Sequence, residues 1–268
     1  KMRILGTGGA WFIGSNLTES LLSEGYSVIS IDNFLLGRPE YIEPFRDNLK
    51  FEFKEMDLLD RKMAVPVFKG VDAVFHLSSN SDIFAGAKHT DRDLSIGTIV
   101  TYNVLEAMRL NGVKNIVFAS TSAVYGMANQ IPTKEDYGPL FPISLYGAST
   151  VACETFISAF CHNFGMKSWI FRFANVIGKN PTHGIVFDLI KRLKNKRHEI
   201  EVLGDGKQSV ETPLQEKRKK PSPVHRHERF LTPQPIDPSL FLLSGRRRFL
   251  HSITSDRINS GNQGGVLV

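Results

Sequence analysis

The chain is poor in sulfur, with two cysteines among 268 residues, Cys153 and Cys161. On one helix they would stand about 12 Å apart at 1.5 Å rise per residue, too far for a disulfide. A disulfide scaffold is excluded, and both are expected to be buried thiols of a reducing compartment, without metal or redox work. Long apolar runs are missing as well. Nothing approaches the ~18 residues of a membrane span, and the first residues lead into a strand rather than a secretory leader. The expected location is cytoplasmic, with no membrane partner. Nor is there an acidic excess, since 33 Lys and Arg against 27 Asp and Glu leave +6. The stretch 211–268 holds ten basic and five acidic residues, so +5 of that charge belongs to it. Its basic runs, Lys217–Lys220 and Arg246–Arg248, have no interleaved aromatics, and nucleic acid is not the expected partner.

What is present is an ordinary globular composition, 41% apolar and 22% charged. It opens on a recognisable pattern. Residues 1–14 run from an apolar stretch into a glycine-rich turn and then a helix, the layout that sets unpaired N–H groups and a positive helix end against a pyrophosphate. Leu17, Leu21 and Leu22 continue at helical spacing to a stop at Gly25. Residues 27–31 read as a buried strand delivering Asp32 about twenty residues after the loop, where a carboxylate bonds the adenosine ribose. That charge repels a 2′-phosphate and favours NAD over NADP.

Further strands are expected at 51–54, 71–77 and 115–120, and helices from about Leu94 to Leu110 and from Tyr146 to Phe164. Between Asn33 and Asn48 a loop with a short helix is expected. Alternating strands and helices predict an α/β fold with a doubly wound parallel sheet, ligands lying at the carboxyl ends of the strands. The chemistry should then gather at Ser120–Gly126 and Tyr146–Thr150, where hydroxyls at a strand end meet a tyrosine at a helix mouth.

The ordered motifs Thr7-Gly8-Gly9-Ala10-x-Phe12-Ile13-Gly14-Ser15, Asp32-Asn33, Asp57-Leu58, His76-Leu77, Tyr102-Asn103-Val104-Leu105-Glu106-Ala107, Ser120-Thr121-x-x-Val124-Tyr125-Gly126, Tyr146-Gly147-Ala148-Ser149, Arg172-Phe173-x-Asn175 and Gly204–Gln208 carry a resemblance. They resemble the extended short-chain dehydrogenase family, in particular its nucleotide-sugar epimerases of the UDP-glucose 4-epimerase type, over roughly residues 2–208. The resemblance implies a Rossmann fold with a small, truncated C-terminal substrate lobe, NAD as cofactor, a UDP-hexose as substrate and a homodimer. Gly8, Phe12, Ile13 and Gly14 would line the pyrophosphate, Asp32 and Asn33 the ribose, Asp57 and Leu58 the adenine, and Leu77, Ser78 and Ser79 the underside of the cofactor. Asn175 would contact the substrate phosphate. Tyr146 would take the proton of the sugar 4-hydroxyl while NAD takes the C4 hydride, with Thr121 sharing the hydrogen bond and Ser122 as its substitute. Related dehydratases carry an Asp-Glu pair where this chain has Ser122-Ala123, which argues for epimerisation.

Several positions depart from that pattern. Trp11 replaces the middle glycine of the loop, where backbone is to touch pyrophosphate. Gly6 replaces a strand valine, a loss of about 1 kcal/mol. Gly97 stands in place of an asparagine, and Thr150 in place of the lysine that would hold the nicotinamide ribose and lower the tyrosine pKa. The expected division is 1–175 for nucleotide binding, 176–210 for a partial substrate lobe, and 211–268 for a basic, proline-rich tail, disordered or non-native. Together these changes read as a decayed or mutated epimerase of impaired activity, the alternative being a catalytically inactive nucleotide-binding protein of the same fold. His76 is expected to be structural, Phe12, Tyr125 and Phe173 to be packing residues, and Lys191–His198 to be a solvated helix face.

Overall fold

The structure, a computed structural model, describes residues 1–176, 178–181, 185–195 and 265–267. The Gly204–Gln208 motif and most of the basic stretch lie outside them.

Short runs rich in Val, Ile and Phe form the strands β1 (Arg3–Thr7), β2 (Ser27–Asp32), β3 (Phe51–Glu55), β4 (Ala73–His76), β5 (Asn115–Thr121) and β6 (Lys167–Phe173). They form one sheet in the order β3-β2-β1-β4-β5-β6, each neighbouring pair parallel, and a short β7 (Gly265–Leu267) runs parallel along β6. From β1 the chain winds outward through β2 to β3, then returns to β4 on β1's other side and winds the opposite way. The order reverses between β1 and β4, and the carboxyl ends of these strands open the crevice in which such sheets bind ligands.

Period-two alternation makes both faces of the sheet apolar. Ile4, Val28, Phe75 and Val117 pack on one side with Leu17 and Leu21 of α1 (Phe12–Ser23). Leu5, Ile29, Ile31, Val74, Ile116 and Phe118 pack on the other with Val104, Leu105 and Met108 of one helix and Cys153, Ile157 and Phe160 of another. Between the flanking helices come two short ones, α2 (Arg61–Ala64) and α3 (Ile83–Lys88). The two helices on the second face are α4 (Val100–Leu110) and α5 (Leu145–Phe164). A last helix, α6 (Ile185–Asn195), follows β6 and contains the start of the Lys191–His198 run.

Departures from the sequence reading are local. The helix expected from Leu94 begins with a π-helical turn, Leu94–Ile99, before α4 takes over. Helix α5 starts one residue before Tyr146 because Ser144 caps it, accepting from the Gly147 N–H at 3.0 Å. Strand β6 was not expected as a strand. A Cβ built at Gly6 meets nothing closer than the Ile29 carbonyl oxygen at 4.0 Å, so a side chain would fit there. Cys161 is only half-buried, while Cys153 is buried, and burial pushes both thiols up, away from the reactive thiolate.

Candidate active site

The glycine loop takes its shape from three close approaches. Gly8 has φ +67°, and a Cβ there would lie 3.1 Å from the Leu77 carbonyl carbon. A Cβ on Gly9 would fall 2.6 Å from that of Ser30, and one on Gly14 would run into the Gly8 carbonyl oxygen. The loop thereby lies directly on the ends of β2 and β4. Helix α1 follows with no side-chain cap and no acidic residue in its first turn, which leaves its positive end for an anion. Phe12 is buried and supports Gly178, whose Cβ would meet its ring at 3.2 Å, so its side chain packs as expected. Asn16 donates to the Phe12 and Lys179 carbonyls at 2.8 Å each, tying the chain after β6 to α1.

Trp11 precedes that helix with φ −116° and ψ −179°, extended backbone that any L-residue adopts. The loss of the glycine therefore carries no backbone strain. The change lies in the side chain, because Trp11 lines the groove beside Gly8, Asp32, Leu35, Leu36 and Gly37.

Asp32 ends β2 beneath this groove. Its carboxylate accepts from the Ala10 N–H at 3.0 Å and the Phe34 N–H at 2.9 Å, holding the loop and the chain beyond. Burial pushes its carboxyl above the usual range, against these N–H bonds. Each oxygen keeps acceptor capacity for a ribose hydroxyl. Gly37, which the sequence left in an undistinguished loop, has its Cα so close to Asp32 that a Cβ would fall 2.5 Å from Oδ1. Farther along, Asn33 donates to Asp57 at 3.3 Å, and both line the groove with Met56 and Leu58.

Under the crevice runs a buried chain of hydrogen bonds. Thr7 Oγ1 accepts from the Leu77 and Ser78 N–H groups at 3.1 and 3.2 Å. Its own proton then goes to His76 Nδ1 at 2.7 Å. That leaves the His76 proton on Nε2, facing Thr101 Oγ1 at 2.8 Å, and Thr101 donates in turn to Cys153 Sγ at 3.1 Å. His76 is wholly buried, and burial alone drops it to about 4, so it stays neutral. As expected it is structural, and it joins the ends of β1 and β4 to α4 and α5.

Near the ends of β4 and β5 the hydroxyls of Ser79 and Thr121 lie beside the Tyr146 phenol. Thr121 Oγ1 also accepts from the Ala123 N–H at 3.2 Å, whereas Ser122 faces solvent in the Ser122–Tyr125 turn. Burial pushes the Tyr146 phenol up, the two hydroxyls lower it, and the Asp93 charge raises it again. Among the described residues no cation acts on it in this balance. Thr150 is buried one helical turn on, its hydroxyl donating to the Tyr146 carbonyl at 2.8 Å. Beside Gly97, the space a Cβ would need is filled by Ser149 Oγ, itself donating to the Asp93 carbonyl at 2.7 Å.

The floor of this end is ionic. Arg172 of β6 grips Glu154 of α5 through Nε at 2.9 Å and Nη2 at 2.7 Å, both residues buried. Ser120 donates to the same carboxylate at 2.5 Å. Arg172 also reaches the Glu135 carbonyl at 3.1 Å and stacks over the Tyr125 ring at 4.9 Å. Asn175 lies just beyond β6, half-buried.

Of the residues expected at a nucleotide, Gly8, Asp32, Asn33, Asp57, Leu58, Leu77, Ser78 and Ser79 all line one groove. Phe12, Ile13, Gly14 and Thr150 lie outside its lining. The groove fits the adenosine half of a dinucleotide: a glycine at φ +67° where no Cβ fits, a carboxylate with spare acceptors beneath it, and polar groups at the far end. Sequence reasoning missed Gly37 and the placement of Ser79 beside Tyr146. Glycine after an acidic strand end was the available signal for the first.

The model of the NAD dependent epimerase/dehydratase family matches residues 4–212. The UDP-glucose 4-epimerase of Mycolicibacterium smegmatis is 33% identical over 187 residues, 68% of this chain and 59% of that protein. Among solved structures, the Thermotoga maritima UDP-glucose 4-epimerase with UDP-glucose is 31% identical, with a TM-score of 0.69 over 76% of this chain and 67% of its own. The Thermus thermophilus UDP-glucose 4-epimerase complex with NAD is 31% identical, with a TM-score of 0.66 over 72% and 63%. The chain thus spans about three fifths to two thirds of the length of these relatives. The match over the sheet, the glycine loop and the Tyr146 turn means that this chain belongs to the NAD-dependent epimerase/dehydratase family, whose cofactor is NAD.

Proposed function

We propose that the chain is a nucleotide-sugar epimerase of the UDP-glucose 4-epimerase type, acting at C4 of a UDP-hexose. The observation that carries this is the Tyr146 phenol with the Thr121 and Ser79 hydroxyls beside it, near the ends of adjacent strands, Ser79 itself lining the groove. Bound NAD supplies the redox chemistry at C4. Gly8, Asp32, Asn33, Asp57 and Leu58 would hold its adenosine half, and the N–H groups of Phe12, Ile13 and Gly14 its pyrophosphate. Tyr146 Oη would take the proton of the 4-hydroxyl and return it to the same oxygen, while Thr121 orients the hydroxyl by sharing its hydrogen bond. Asn175 would meet the substrate phosphate. Ser122-Ala123 offers no carboxyl acid or base beside Thr121, which favours epimerisation over dehydration.

A second reading, nucleotide binding without turnover, is favoured by Thr150: a phenol raised by burial, with no cation beside it among the described residues, is a poor base at pH 7. Interconversion of UDP-galactose and UDP-glucose by the full chain, set against Tyr146→Phe and Thr150→Lys, separates the two. Turnover abolished by Tyr146→Phe supports the epimerase. Intact NAD binding with no turnover in the unaltered chain or in Thr150→Lys leaves the binding protein.

A further inference from the structure

The groove stops short of the helix that should complete it. It runs from Asn33, Asp57 and Leu58 past Asp32 and Gly37 and meets the glycine loop only at Gly8 and Trp11. The first-turn residues Phe12, Ile13 and Gly14, whose N–H groups point at an anion in such loops, do not line it. Trp11 is the last residue before that turn and lines the groove.

Its position is held from both sides. The Trp11 carbonyl accepts from the Ser15 N–H at 2.9 Å, starting α1. The Arg38 N–H donates to the Ala10 carbonyl at 2.8 Å, fastening the chain after β2 across the loop. This brings Leu35 and Leu36 to the same groove wall as Trp11, above the buried Asp32 carboxylate. A groove lined by Trp11, Leu35, Leu36 and Asp32 suits a nucleoside, with apolar and π-face contact for the base or ribose and an acceptor for the hydroxyls. A glycine in this place lets backbone approach a pyrophosphate, and an indole adds bulk there.

Resting on the assignment of this groove to NAD, we infer that Trp11 is a specificity-determining residue: it moves the binding preference of the groove from the whole dinucleotide toward its adenosine half. Contacts to the charged pyrophosphate are weakened, and contacts to the adenosine are gained. One charge-assisted hydrogen bond lost from the pyrophosphate corresponds to about tenfold or more in affinity.

The test is calorimetric titration of the full chain and of Trp11→Gly with NAD and with AMP. Trp11→Gly should bind NAD about tenfold or more tighter, with AMP affinity unchanged or reduced. In Trp169→Phe, where Trp11 is the one remaining tryptophan, AMP should change the emission. An NAD affinity within twofold of the unaltered chain overturns the inference while leaving the NAD groove intact. So does an equal gain for NAD and AMP, the mark of a merely opened groove. Absence of binding by either ligand to either protein overturns the groove assignment and the inference with it. Thermal melting checks that the variant folds, and should Trp11→Gly unfold, Trp11→Ala carries the same expectations.

Discussion

Replacing Thr150 by lysine should convert a poor base into a usable one. Thr150 follows Tyr146 by four residues on α5, so the two side chains share one helix face with Cβ atoms about 5–6 Å apart. An ammonium about 5 Å from the phenol oxygen, at an effective dielectric of about 20, contributes roughly 3 kcal/mol to the phenolate, or about 2.5 pKa units. The phenol starts above its ordinary value of about 10 because burial raises it, so at pH 7 less than about one molecule in 10³ is ionised. The lysine should therefore raise the phenolate fraction, and turnover limited by it, by about 10². Because Thr150 is 6% exposed, the longer chain must leave toward the groove, and a stability loss of about 1–3 kcal/mol is expected. Ultraviolet difference titration of tyrosinate, with Tyr146→Phe subtracted, reads the shift directly. A Tyr146 titration unmoved in a folded Thr150→Lys protein would refute the reasoning, since it would mean that position 150 does not address the phenol.

Other expectations concern the frame. Glu154→Gln removes the partner of a buried guanidinium and should cost about 3–5 kcal/mol in urea unfolding; a loss under about 1 kcal/mol would mean that the Arg172 pair is not what holds α5 to β6. His76 is neutral in the fold down to about 4 but takes a proton near 6.5 when unfolded, so the unfolded chain binds more protons between these values. Stability should be full above pH 6.5 and fall by up to about 3 kcal/mol as pH drops to 4, and His76→Gln should flatten that slope in chemical denaturation. Gly6→Ala should stabilise by about 0.5–1 kcal/mol, since its Cβ meets open space within the strand, whereas Gly14→Ala should reduce both NAD affinity and melting temperature by forcing the loop off the Gly8 carbonyl.

Strands β1 to β5, the main helices, the glycine loop and Asp32 were legible because each is written in neighbouring residues: apolar alternation, helical spacing, and a turn at a fixed offset from a carboxylate. Even the departures at Trp11 and Thr150 could be seen there, as residue types out of keeping with their local motif. Tertiary structure alone decided the pairings across the sheet. Ser79 comes to lie beside Tyr146, and Thr7, His76, Thr101 and Cys153 join in one buried chain because parallel pairing sets the ends of β1, β4 and β5 side by side. No periodicity in the chain encodes contacts between residues 25 to 70 positions apart. The same holds for what Trp11 does: its identity was plain from the sequence, but only the fold showed an unstrained backbone and a place in the groove wall, turning a question of conformation into one of space.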